Sequence, residues 1–372
     1  MRSTCNVFII LPREVAWLMK NELQLQIEKT IAKNEDELFS LISKLIEVAH
    51  SRVKTTVNTV MVYTYFGVGS YIVNYEQNGN IRAEYGKQTL KKLSEKLKAK
   101  YGKGWSVETL HKAVRFYNEY SKSVYTVDRI YPDFKLSWNH YQVLMRIENQ
   151  EERQFYEIEC VTQNWGVRQL QRQYNSSLYE RIALSKNKNE VMRLANEGQV
   201  VEKPKDILKD PLTLEFLGLS EETAYSENHL ETAIINKLQK FLLELGKGFL
   251  FEARQKRFTF DEDNYFVDLV FYNRLLQCYV LIDLKIDKLT HQDLGQMQMY
   301  VNYFNRYVKQ DFEKPTIGIL LCKEKNDALV ELTLPEDANI YAQKYELYLP
   351  DKKILQEKLK QWIKESEDDS EA

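Results

Sequence analysis

Apolar residues recur at helical spacing through the first half of the chain and give way to strand-like runs in the second. Leu38, Leu41, Ile42, Leu45 and Ile46 follow the helical period, as do Val60, Val62, Tyr63 and Phe66. Lys87 to Lys100 reads as an amphipathic helix striped by Leu90, Leu93 and Leu97. Tyr101-Gly102-Lys103-Gly104 breaks it, and Ser106 is placed to cap a second helix from Val107 to Tyr120, with Glu108 in its first turn. The expectation is a helix-turn-helix-like element within a helical domain over 36–185, after a poorly specified leader over 1–35. Residues 186–211 are charged and lack apolar period, and read as a linker.

From about Leu212 the pattern changes. A helix is predicted from Asn228 to Leu245, stopped by Gly246 and Gly248. Strands follow at Phe249–Phe260, Tyr265–Tyr272 and Cys278–Lys285, then a helix from Thr290 to Val308 and a strand at Thr316–Leu321 bounded by Pro315. The order is helix, three strands, helix, strand, an α/β domain over 212–364 ahead of an acidic tail at 365–372.

Composition alters this picture only locally. The chain of 372 residues is 44% apolar and 28% charged, with a net charge of −2. Residues 81–130 nevertheless carry 12 Lys and Arg against 5 Asp and Glu, a local +7 that suits nucleic-acid phosphate. Cys5, Cys160, Cys278 and Cys322 form no CxxC pair and no zinc spacing. Scattered cysteines fit a reducing compartment. No signal peptide or membrane span is apparent, so the expected location is the cytoplasm. Phosphate-cradling GxxxxGK[ST], GxSxG and HExxH motifs are missing.

The chemistry concentrates in the second and third strands. A hairpin register in which paired numbers sum to 551 sets Val267 against Leu284, Leu269 against Ile282 and Phe271 against Val280, an apolar face that belongs in a core. The same register sets Asp268 against Asp283, with Lys285 two residues further on the same side. Opposed carboxylates repel, and a hard divalent cation, Mg2+ or Mn2+, would relieve that. It would also bring a phosphate and an activated water to the site, with Lys285 beside them. Without a cation, the same three residues read as edge-strand polar groups closed by a salt bridge.

The stretch FLLELGKGFLFEARQKRF…YFVDLVFYNRLLQCYVLIDLKI…LGQMQMY…PTIGILLCKEK resembles the C-terminal domain of the YhcG-type proteins in the PD-(D/E)XK nuclease superfamily. The segments VNTVMVYTYFGVGSYI, RAEYGKQTLKKLSEKL, GKGWSVETLHKAVRFYNEY, LSWNHYQVLMRI and WGVRQLQRQYNSSLYER resemble the helical domain of unassigned function that precedes it. The resemblance implies a restriction-endonuclease-like αβββαβ core. It makes Asp268 the first motif aspartate, and Asp283 with Lys285 the (D/E)-x-K pair, aspartate standing where most relatives carry glutamate. It also implies Glu231 as a metal-supporting acid, the alternative being a solvated acid near a helix N-terminus. Gln296 and Tyr300 look like a Q-x-x-x-Y element beside the site that contacts DNA, the alternative being a helix packed on the sheet. The implied protein is a Mg2+- or Mn2+-dependent deoxyribonuclease that takes nucleic acid as partner, with dimerisation common among such nucleases. In the basic half, His111, Lys112, Arg115 and Asn118 are candidate DNA contacts on the second helix. The rival reading is a nuclease fold with weak or lost catalysis, serving as a DNA- or protein-binding accessory of a mobile-element or restriction-type defence system.

Overall fold

The computed structural model describes residues 58–75, 83–121, 133–184, 188–209, 211–219, 225–325, 327–335 and 338–368. The leader, the Leu38–Ile46 helix and the last four residues of the acidic tail lie outside them. The chain divides into two compact units, Met1–Glu148 and Asn149–Ala372.

In the first unit, helix α1 covers residues 58–75, α2 Ala83–Tyr101, α3 Val107–Tyr120 and α4 Trp138–Leu144. Ser106 caps α3 as expected, its hydroxyl accepting from the Thr109 N–H at 3.1 Å. The helix buries Leu110, Ala113, Phe116 and Tyr120. Phe116 is the hub of an aromatic core with Phe66, Phe134 and Tyr141, at centroid distances of 4.9 to 5.8 Å. Gly69 permits the crossing of α1 over α3, because a Cβ there would collide with the Ala113 carbonyl.

The second unit opens with helices α5 (Gln150–Thr162), α6 (Val167–Asn175), α7 (Leu178–Ala183) and α8 (Lys188–Glu197). The expected linker over 186–211 is thus folded in large part. Val191, Leu194, Ala195 and Ile207 are buried, an apolar set too sparse to show a period in the sequence. Strand β1 (Leu212–Thr213) follows, then α9 (Glu227–Asn236) and α10 (Leu238–Leu245). The single helix expected over 228–245 is broken at Lys237, whose ammonium donates to the carbonyls of Phe216 at 2.8 Å and Leu217 at 3.0 Å.

Next come β2 (Phe249–Phe260), β3 (Asp263–Asn273) and β4 (Cys278–Lys288), helix α11 (His291–Tyr303), β5 (Ile317–Glu324), α12 (Asp327–Thr333), β6 (Ile340–Glu346) and α13 (Lys352–Asp368). Helix α13 thus reaches into the expected acidic tail. The sheet runs β1-β6-β5-β4-β3-β2, antiparallel through β2, β3 and β4 and parallel from β4 to β1. One face packs Leu230, Ile234, Phe241 and Leu245 of α9 and α10 on Leu269, Phe271, Val280 and Ile282. The other packs Leu294, Met297, Tyr300 and Val301 of α11 on Val270, Leu281 and Leu320. This three-layer arrangement contains the αβββαβ core.

A buried charge network ties the leading helices of this unit to its sheet domain. Glu244 is held by Arg181 at 2.5 Å and Arg172 at 3.0 Å, and accepts the Thr213 N–H at 2.9 Å. Burial alone would push the Glu244 carboxyl up, but Arg181, Lys209 and Arg172 outweigh it and hold it at about 2. Among the described residues, no helix is long and apolar enough to cross a membrane. Cys160, Cys278 and Cys322 are buried and not joined in disulfides among the described residues.

Candidate active site

The site forms where two strands part. Pairing of β3 with β4 follows the expected register from Asn273–Cys278 to Leu269–Ile282 and stops there. Beyond it, β3 continues along β2, while β4 continues along β5 through Asp283–Leu320 and Lys285–Cys322. Asp268 and Asp283 stand at this fork. Val267 is not on the face expected for it: it packs with Val270 and Leu281, not with Leu269 and Phe271. The partner strand is irregular here as well: on β2 the register shifts between Phe251 and Ala253, and Gln255, between the Arg254–Leu269 and Lys256–Val267 pairs, adopts φ 47°. A non-glycine residue in that region is uncommon and here re-aims a side chain beside the acids.

Asp268 is firmly positioned. Its Oδ2 accepts the Leu284 N–H at 2.8 Å, a bond across the fork, and its Oδ1 accepts from Gln255 Nε2 at 2.9 Å. The same Gln255 amide donates to Glu231 Oε2 at 2.6 Å, and Arg254 donates to the other Glu231 oxygen. Glu231, on α9, is therefore buried and engaged by a cation and an amide. It joins the site through Gln255.

Asp283 is nearly buried, at 3% exposure, and its Oδ2 lies 2.9 Å from Lys285 Nζ. The two form a close ion pair in a largely water-excluded setting. Burial, reinforced by the charge of Asp268, pushes the Asp283 carboxyl up to about 7 despite Lys285. Burial pulls Lys285 down, but Asp283, Glu227 and Asp293 outweigh it and keep the ammonium protonated. Glu227 Oε1 lies 3.9 Å and Asp293 Oδ1 3.7 Å from Lys285 Nζ. Burial raises the Glu227 carboxyl against the pull of Lys285, with Asp268 and Asp293 adding to the rise.

Asp268, Asp283 and Lys285 are thus brought together, ringed by Glu227, Asp293 and Gln255. Those three were not singled out from the sequence. Glu227 and Asp293 sit at helix starts, where acids are ordinary, and only the backbone reversal at Gln255 exposes its role. Tyr300 is buried on the same flank, and burial followed by the Asp283 charge raises its hydroxyl to about 12. Gln296 is exposed and donates to the Tyr300 hydroxyl.

Among the described residues, no three His, Cys, Asp or Glu side chains converge closely enough to hold a metal ion. A pair fits a hard cation: Asp268 and Asp283, two neighbouring oxygen donors, the latter carrying a charge that burial and Asp268 disfavour. In the first unit, Arg115 and Asn118 are exposed on α3, while Lys112 is paired with Glu108 at 2.7 Å.

The mixed sheet, its flanking helices and an Asp…Asp-x-Lys set at the strand fork define a PD-(D/E)XK nuclease domain carried behind a helical domain. Residues 205–360 match the YhcG PDDEXK nuclease domain, and residues 41–181 match the DUF1016 N-terminal domain. "Putative nuclease YhcG" of Escherichia coli (strain K12) is 34% identical over 345 residues, covering 86% of this chain and 92% of that protein. The chain belongs to the YhcG family. A repair endonuclease from Pyrococcus abyssi aligns with a TM-score of 0.24 and 19% identity over 35% of this chain and 50% of that one, a likeness too slight to build on.

Proposed function

We propose that the protein is a divalent-metal-dependent nuclease that hydrolyses phosphodiester bonds in DNA. The observation that carries this reading is the meeting of Asp268, Asp283 and Lys285 at one fork, with Asp283 held in a site that disfavours its charge. Asp268 and Asp283 are the residues that would hold Mg2+ or Mn2+, which when bound supplies charge neutralisation at the phosphate and a lowered pKa for water. Asp268 is pre-oriented by the Leu284 amide and Gln255, so it needs no rearrangement to present a carboxylate. Lys285 Nζ stays protonated and faces charge developing on the scissile phosphate. Gln255 and Arg254 keep Glu231 in place behind the acids, the support proposed for it.

Gln296 and Tyr300 flank the site on α11 and are proposed to meet the substrate backbone. Arg115 and Asn118, with Lys112 once freed from Glu108, are proposed to hold nucleic acid at the helical domain and give affinity with little sequence information.

The test is a panel of linear, circular, single-stranded and branched DNA, incubated with the protein in Mg2+, Mn2+ or excess chelator. Cleavage with metal and none with chelator is the expected result. Calorimetry on the same preparation separates the rival reading: a docking relic has no need to bind Mg2+ at Asp268 and Asp283. A protein that neither binds Mg2+ nor cuts any substrate contradicts the proposal.

A further inference from the structure

The nuclease reading leaves one flank of α11 unexplained. Between that helix and the outer end of β2 lies a groove of about 340 Å³. Its wall is aromatic. Phe258 stacks on Tyr303 with centroids 4.1 Å apart and planes at 21°, and Tyr307 packs against Tyr303 at 5.2 Å. Tyr307 and Phe260 leave 63% and 51% of their surface to solvent, an unusual exposure for rings that line one groove.

Its other lining is polar, with Gln298, Asn302 and Arg306. Arg306 is exposed there, and none of the described residues lining the groove is a carboxylate. Gln298 and Asn302 add a pair of amides, Gln298 donating to Asn302 Oδ1 at 3.3 Å. The backbone is adapted at this point as well. Residues Phe304–Val308 form a π-turn, closed by the Lys309 N–H on the Phe304 carbonyl at 2.9 Å, which sets the spacing of Tyr303, Arg306 and Tyr307. Such widened turns recur at functional sites. The groove neighbours the acids through one buried ring: Phe258 in its wall meets the edge of Tyr300 at 5.6 Å, and Tyr300 feels the charges of Asp283, Asp268 and Lys285.

Flat exposed rings, amides and a lone cation match an aromatic heterocycle attached to a phosphate. An acidic or purely apolar peptide would use only part of this set. We propose that the groove takes one unpaired nucleobase of the strand being cut, stacked on Phe260 and Tyr307 with its phosphate at Arg306. This deepens the nuclease reading and rests on it. It makes the preferred substrate a nucleic acid with an unstacked nucleotide near the cut, because a base inside a duplex offers no free face.

The test uses the full chain carrying Asp283→Asn, in chelator, so that binding is read without cleavage. The probes are a short single-stranded oligodeoxynucleotide containing 2-aminopurine, its oligoribonucleotide counterpart, and the matching DNA duplex. The expected result is tighter binding of a single strand than of duplex, with a change in 2-aminopurine fluorescence on stacking. Adding Phe260→Ser and Tyr307→Ala should weaken single-strand binding about tenfold or more and leave duplex binding within about twofold. Should that variant lose its melting transition, Asn302→Ala with Arg306→Gln supplies the same comparison from exposed positions. Equal affinity for duplex and single strands, or variants that bind single strands like the parent, overturns the groove. Metal-dependent cleavage by the unsubstituted protein is measured separately, so failure of the groove and failure of the nuclease reading are distinguishable.

Discussion

Asp283 shows how one side chain can be costly to the fold and valuable to the site. Its carboxyl rises from 3.8 to about 7, so the folded protein binds more protons than the unfolded chain between those values. Stability must then fall as pH rises through that window and level off above it. Asp283→Asn removes the penalty. In metal-free protein, its gain should be absent below about pH 4 and reach about 1–3 kcal/mol above pH 7. Thermal melts across pH check this, and a gain independent of pH would contradict it. Glu244 behaves in the opposite sense. Held at about 2, it contributes stability above its ordinary range that is lost as pH falls toward 2. Glu244→Gln leaves Arg181 buried without its counter-charge, and should cost about 3–5 kcal/mol in chemical denaturation.

The meeting of Asp268, Asp283 and Lys285 was legible in the sequence only in part, since the expected hairpin register holds as far as Leu269–Ile282 and ends before the acids. Gln255 was not legible, since nothing in EARQKRF signals a left-handed residue, and neither was the true facing of Val267.

At the scale of elements, the strands and helices of the αβββαβ core follow the periodicity closely, whereas β1 and β6 escaped it. The first spans two residues, and the second mixes polar residues into its alternation. The break at Lys237 escaped too, because its cause is a tertiary bond from the lysine to carbonyls about twenty residues earlier. The close seating of α11 on the sheet depends on Gly318. A Cβ there would lie 2.6 Å from Met297 Sδ and 2.9 Å from Val301 Cγ2, both on α11. Gly318→Ala should therefore destabilise by about 1–3 kcal/mol through overpacking. It should also slow cleavage, since α11 carries Gln296, Tyr300 and Asp293. A melting temperature equal to wild type would show that the helix is free to move away.

For the whole molecule, the compact unit begins at Asn149, not at the charged stretch that reads as a linker. Arg172 and Arg181 lie on α6 and α7 but neutralise Glu244 on α10, a dependence no local pattern displays. A fragment starting at Asn149 should melt cooperatively, whereas one starting at Lys205 should not. Equal cooperativity in the two would show the leading helices to be dispensable.

The central claim is that Lys285, Asp268 and Asp283 together cut phosphodiester bonds. The most direct measurement is the cleavage rate with enzyme in excess over DNA and saturating Mg2+, for wild type and Lys285→Met, with melting curves run in parallel. The variant should fold and lose at least about a hundredfold in rate, the scale of a lost electrostatic contact at developing charge. A folded Lys285→Met protein that cuts at the wild-type rate would contradict it.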